Sequence, residues 1–76
     1  MKFLVNVFPK EEVSDPQGEA ILAAARTLGF GEVSGLRAGR CFVVEVADGT
    51  SENRLKSLAD GLLANPTVET FTLRLL

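Results

Sequence analysis

The spacing of apolar positions along this 76-residue chain switches from two to about 3.6 and back, twice over. Phe3, Val5 and Val7 alternate with Leu4, Asn6 and Phe8, which predicts a strand with one largely apolar face. Pro9 ends it, and Lys10-Glu11-Glu12 forms a charged connection. Ile21, Ala24, Ala25 and Leu28 then fall at i, i+3, i+4 and i+7, a helical stripe. The three alanines at 23–25 flatten that stripe, so a sheet can approach it closely. Gly29 suits the position just past the helix, where a left-handed residue turns the chain out.

Glu32–Ala38 and Arg40–Ala47 read as two strands joined in a tight hairpin around Gly39. Cys41-Phe42-Val43-Val44-Glu45-Val46 is the most β-prone stretch and predicts a central strand. Asp48-Gly49 turns the chain, and Thr50 or Ser51 caps a second helix. Its inward face is Leu55, Leu58, Ala59 and Leu62. Asn65-Pro66 stops that helix, and Thr67–Leu76 returns as a last strand with Phe71, Leu73 and Leu75 on one side. The order β-α-β-β-α-β predicts an α+β two-layer sandwich of ferredoxin-like type, with an antiparallel sheet and two helices on one face. The other face, with Leu4, Phe8, Val43 and Leu76, is expected to be half apolar.

Asp15-Pro16-Gln17-Gly18 opens the first helix and then weakens it. Asp15 is a good N-cap, and Pro16 sits where its missing N–H is harmless. Gly18 disfavours the first turn relative to Ala by about 0.5–1 kcal/mol. It marks either close packing against the backbone or a helix start left bare, unless it is an ordinary surface glycine.

Length fits a single domain spanning residues 1–76. A chain this short buries only about 60% of its unfolded surface, so small folds lean on disulfides, metals or partners. One cysteine and no histidine remove the first two, and 46% hydrophobic residues leave apolar surface for oligomerisation. The chain is expected to be a homodimer or higher homo-oligomer. Its N-terminus lacks a signal-peptide pattern, and no apolar run approaches the ~20 residues of a membrane span. The lone Cys41 fits a reducing, cytoplasmic setting. A net charge of −2 argues against nucleic-acid binding.

Catalytic chemistry is sparse. Histidine, tyrosine and tryptophan are absent, and Cys41 has no histidine to activate it. It reads as a structural thiol. Gly29-Phe30-Gly31 follows a helix rather than a strand, the wrong setting for a phosphate-cradling turn. The β-prone run carries too few aromatics to stack RNA bases. Arg37 and Arg40 flank Gly39, either as solubilising tip charges or as forks for a partner's carboxylate or phosphate.

Three segments carry a resemblance across essentially the whole chain: Val13-Ser14-Asp15-Pro16-Gln17-Gly18, then Val33-Ser34-Gly35-Leu36-Arg37-Ala38-Gly39-Arg40, then Leu62-Leu63-Ala64-Asn65-Pro66-Thr67-Val68-Glu69. In order and spacing they resemble the PurS family, small subunits of phosphoribosylformylglycinamidine synthase. Ser14, Pro9, Arg40 and Phe71 depart from its usual leucines, lysine and tyrosine, mostly preserving size or charge. The resemblance implies a non-catalytic subunit of an ATP-dependent ligase of purine biosynthesis. It would bridge a PurL synthetase and a PurQ glutaminase, and assist ammonia transfer to formylglycinamide ribonucleotide. It implies a homodimer, no metal or cofactor bound by this chain, and ATP and magnesium used by the large subunit. Asp15, Pro16, Gln17, Gly18, Arg37, Gly39, Arg40, Asn65 and Pro66 form the expected partner-facing set, with no catalytic residue among them. Under that reading, Gly18→Leu should weaken assembly and leave the isolated fold intact. An ACT-type amino-acid-binding module and a generic dimerisation domain are the alternatives.

Overall fold

A computed structural model describes all residues, Met1–Leu76. The elements are β1 (Lys2–Pro9), α1 (Pro16–Thr27), β2 (Arg40–Glu45), α2 (Glu52–Leu58) and β3 (Glu69–Leu75), with a π-helical turn at Ala59–Leu63 continuing α2. The sheet is antiparallel in the order β2-β1-β3, so the first strand is the central one. Val5 lies opposite Phe42 on one side and Leu73 on the other. Phe3, Val5 and Val7 are buried, and Val5 and Val7 pack with Ala59 and Ala64. Phe42, Val44, Leu63, Phe71 and Leu73 pack around that cluster while remaining half-buried. Leu4, Phe8, Val43 and Leu76 fall on the opposite face by alternation, beside Asn6, Thr72 and Arg74.

The α+β class and the antiparallel sheet agree with the sequence pattern, but the fourth strand does not form. Residues 32–39 follow no regular ladder, and there is no hairpin at Gly39. Their polar groups bond elsewhere: Ala38 N–H donates to Asp15, and the Arg37 guanidinium to two carbonyls near the end of β1. Those side-chain bonds outcompete strand pairing.

Helix α1 forms as its caps dictate. Asp15 Oδ1 accepts from Gly18 N–H at 3.1 Å. At the other end, Gly29 at φ +99° lets its own N–H reach Arg26 O while Phe30 N–H reaches Ala25 O, a Schellman closure. Yet the stripe meant for the sheet faces solvent: Ile21 is 45% exposed and Leu28 77%, and no α1 residue joins the core cluster. The chain measures 47 × 26 × 14 Å with a radius of gyration of 15.4 Å. A compact domain of this length would have about 11 Å. Residues 16–37 therefore form an arm beside the sheet layer rather than a second helix over it.

Helix α2 starts at Ser51, whose Oγ accepts from Arg54 N–H, after a turn in which Gly49 takes φ +87°. Leu55 and Ala59 are buried as expected, but Leu62 is 75% exposed, and Leu63 with Ala64 turns inward instead. The π turn is the reason. Ala64 N–H bonds Ala59 O, five residues back, and the wider turn moves the inward position on by one residue.

Candidate functional site

The nine residues singled out from the sequence gather at one end of the sheet, where the arm is rooted. Asp15 sits at the centre, 7% exposed. Its Oδ1 accepts from Gly18 N–H, and its Oδ2 accepts from Ala38 N–H at 2.8 Å, so one carboxylate ties together both ends of the arm. These two bonds, Ala38's foremost, with Arg37 nearby, hold the Asp15 carboxyl below its ordinary range despite burial. Gly18 is buried beneath it, not bare. A Cβ there would run into the Asp15 carboxylate and stand 2.9 Å from Leu36 O. The close-packing reading of Gly18 holds, and the exposed-helix-start reading does not. Pro16 and Gln17 face outward.

Arg37 donates from Nη2 to Lys10 O at 2.8 Å and to Val13 O at 2.9 Å, clamping the β1–α1 turn. Arg40 forks onto Glu69, Nη1 to Oε2 at 2.8 Å and Nη2 to Oε1 at 3.0 Å, and Nη2 also reaches Leu63 O. Asn65 N–H donates to the same Glu69 carboxylate at 2.8 Å. Arg40 first, then the Asn65 amide, pull the Glu69 carboxyl below its usual value. Asn65 Oδ1 accepts from Thr67 N–H, closing a turn around the exposed Pro66. The arginines are therefore neither paired at a hairpin tip nor free forks; each is engaged within its own chain. Gly39 is needed for a different reason from the one its sequence context suggests. Its φ is not positive, but a Cβ would collide with Val7 O and the Phe8 ring.

Between Pro9, residues 14–17, residues 38–40 and Glu69 lies a polar pocket of about 220 Å³. Five of the nine residues line it: Asp15, Pro16, Gln17, Gly39 and Arg40. Both carboxylates at this end have each oxygen occupied by donors, and the arrangement fixes shape rather than moving protons. Sequence reasoning missed Glu69 and the Leu63 carbonyl as members of the network. Glu69 lies four residues past Asn65, a local spacing that could have flagged it. Cys41 is exposed on the outer face of β2, opposite Asn6.

The family model for PurS, phosphoribosylformylglycinamidine (FGAM) synthase, matches residues 2–76. The chain belongs to the PurS family. A PurS subunit of phosphoribosylformylglycinamidine synthase from Mycobacterium leprae is 37% identical over 70 residues, covering 92% of this chain and 89% of that one. The crystal structure of the PurS subunit from Thermotoga maritima superposes with a TM-score of 0.88 at 33% identity, over 99% of this chain and 90% of that one. The same family's chain in a structure of PurLQS from Thermotoga maritima gives 0.87 at 33% identity, over 99% and 95%. Coverage that complete places the PurS arm, as well as its sheet, within the shared fold.

Proposed function

We infer that this chain is the PurS subunit of FGAM synthase, a non-catalytic member of a purine-biosynthetic ligase that joins a PurL-type synthetase to a PurQ-type glutaminase. The observation that carries the reading is the family match from residue 2 to residue 76, supported by the likeness to a chain of the Thermotoga maritima PurLQS structure. In this reading ATP and magnesium serve the synthetase subunit, and this chain holds neither. The complex works in the cytoplasm; for the chain itself, no helix is long and apolar enough to cross a membrane. PurS acts as a homo-oligomer, consistent with the exposed apolar stripe of α1.

What such a subunit contributes is geometry. Ammonia released into bulk water at neutral pH is protonated and ceases to be a nucleophile, so a sheltered junction between glutaminase and synthetase preserves it. A rigid root, with Asp15, Arg37, Arg40 and Glu69 all bonded internally, can hold two larger subunits in fixed register. The test is glutamine-dependent FGAM formation by both larger subunits, with and without this chain. Synthesis should fall to background when it is omitted, while synthesis from added ammonium salt falls much less. Equal glutamine-dependent rates in both reactions would overturn the reading.

A further inference from the structure

We propose that Asp48-Gly49 is a site of spontaneous isoaspartate formation, which makes this chain a substrate for a methyltransferase that esterifies isoaspartyl carboxylates with S-adenosylmethionine. The site lies in the turn between β2 and α2, and its chemistry is independent of the assembly role.

Isomerisation needs a backbone N–H free to attack the side-chain carboxyl that precedes it, and a following residue too small to block the approach. Six residues of the chain are Asp or Asn, and five are excluded by their setting. Asp15 and Asn65 precede prolines, which have no N–H. Asn6 lies in the central strand, paired on both sides. After Asn53, the Arg54 N–H already donates to Ser51. Asp60 is also followed by glycine, but that pair sits inside the π-helical turn Ala59–Leu63. A helical backbone keeps each N–H along the axis, toward a carbonyl one turn back, and away from the outward-pointing side chain. Asp48 is left. Its side chain is 92% exposed. Gly49 takes φ +87°, its N–H donates to no group of the chain, and the space where a Cβ would stand is open. The one tie on the carboxylate is Oδ1 to the Met1 α-ammonium at 3.0 Å, an exposed pair of the kind that restrains a side chain weakly.

With the Asp48 carboxyl in its neutral acid form, the Gly49 nitrogen adds to Cγ. One water leaves, made of the carboxyl hydroxyl and the amide proton, and a succinimide ring remains. Water then opens the ring at either carbonyl. Attack at Cγ restores aspartate; attack at the main-chain carbon leaves the chain running through Cγ. Nothing is oxidised or reduced. The second outcome inserts a methylene into the turn that Thr50 closes, its N–H and hydroxyl both donating to Ala47 O. It also frees an α-carboxylate, the group that the methyltransferase esterifies. Loss of methanol from that ester recloses the ring and resets the site.

Trypsin separates the two Asp-Gly pairs, since it cuts after Arg40, Arg54, Lys56 and Arg74. The full chain is held folded and warm at mildly acidic pH, then labelled with isoaspartyl methyltransferase and radioactive S-adenosylmethionine. Label in peptide 41–54 should exceed that in peptide 57–74 about tenfold or more, because the helical pair must open before it reacts. In urea the two should approach equality. Asp48→Glu should abolish the label in 41–54, because the larger ring that glutamate must close forms far more slowly. Equal labelling of both peptides in the folded chain, or none in 41–54, would overturn the proposal. So would a ratio unchanged by urea, or label in 41–54 that survives Asp48→Glu and therefore resides at Asn53.

Discussion

Gly18 and Gly39 are glycines for the same underlying reason, since each lets one backbone segment rest on another that a Cβ would push away. Gly39→Ala sets a methyl against Val7 O in the central strand, where neither side can yield. Overpacking of this kind costs about 1–3 kcal/mol, and a urea midpoint lowered accordingly is the expected result. Gly18→Leu should drive the Asp15 carboxylate off its donors, so thermal melting, not assembly alone, should register the change. That reverses the expectation from sequence that the isolated fold would be untouched. The two engaged carboxylates also set an acid limit. Asp15 and Glu69 titrate lower in the folded chain than in the unfolded one. Their contribution is therefore complete above the unfolded values near ~4 and is lost as pH drops through the folded ones. Melting temperature should decline on acidification below about pH 4. In the Asp15→Asn, Glu69→Gln double variant that decline should be shallower, starting from a lower plateau.

At the scale of elements, the π turn makes a prediction opposite to the helical pattern. Leu62→Ala should be nearly silent, within about 0.5 kcal/mol, because its side chain is in water. Leu63→Ala should cost about 2 kcal/mol and Leu55→Ala about 2–5 kcal/mol, measured by denaturant unfolding. From residues alone, Leu62 would have been assigned the larger loss. Capping chemistry was readable: Asp15, Gly29, Gly49 and Ser51 all act as their residue types suggest. So was the alternation of β1, because period two assigns its faces without reference to anything distant. The strand expected at 32–38 was not, since its fate depends on Asp15 and the carbonyls of Lys10 and Val13, which local propensity does not weigh. The candidate site was legible as a set of segments but not as a mechanism. From residues alone Arg37 and Arg40 read as solubilising tip charges or as forks for a partner, whereas each is bonded within its own chain, largely to backbone carbonyls that no sequence pattern marks.

For the whole molecule, six buried apolar residues in a chain of 76 make a thin core. Small chains with so little interior depend on association, so stability and self-association should be coupled. The melting temperature should rise with protein concentration, and a flat dependence over a hundredfold dilution series would show that the protomer stands alone. The open arm also explains why a compact sandwich was expected and an elongated protomer found. Periodicity identifies a face that wants covering, but it does not say whether the cover comes from the same chain.

The central position of β1 has a consequence for the order of events during folding. Its partners lie at residues 40–45 and 69–75, so the first strand to be synthesised must wait for the last before both its edges are paired. Helix α1, closed at both ends by neighbours in sequence, needs no such wait. A 12-residue helix is nonetheless marginal in isolation, so the nascent chain should show at most partial helicity at α1 before it has a sheet, and acquire its interior in one late step. Such distant pairings make that step slow relative to helical proteins of equal length.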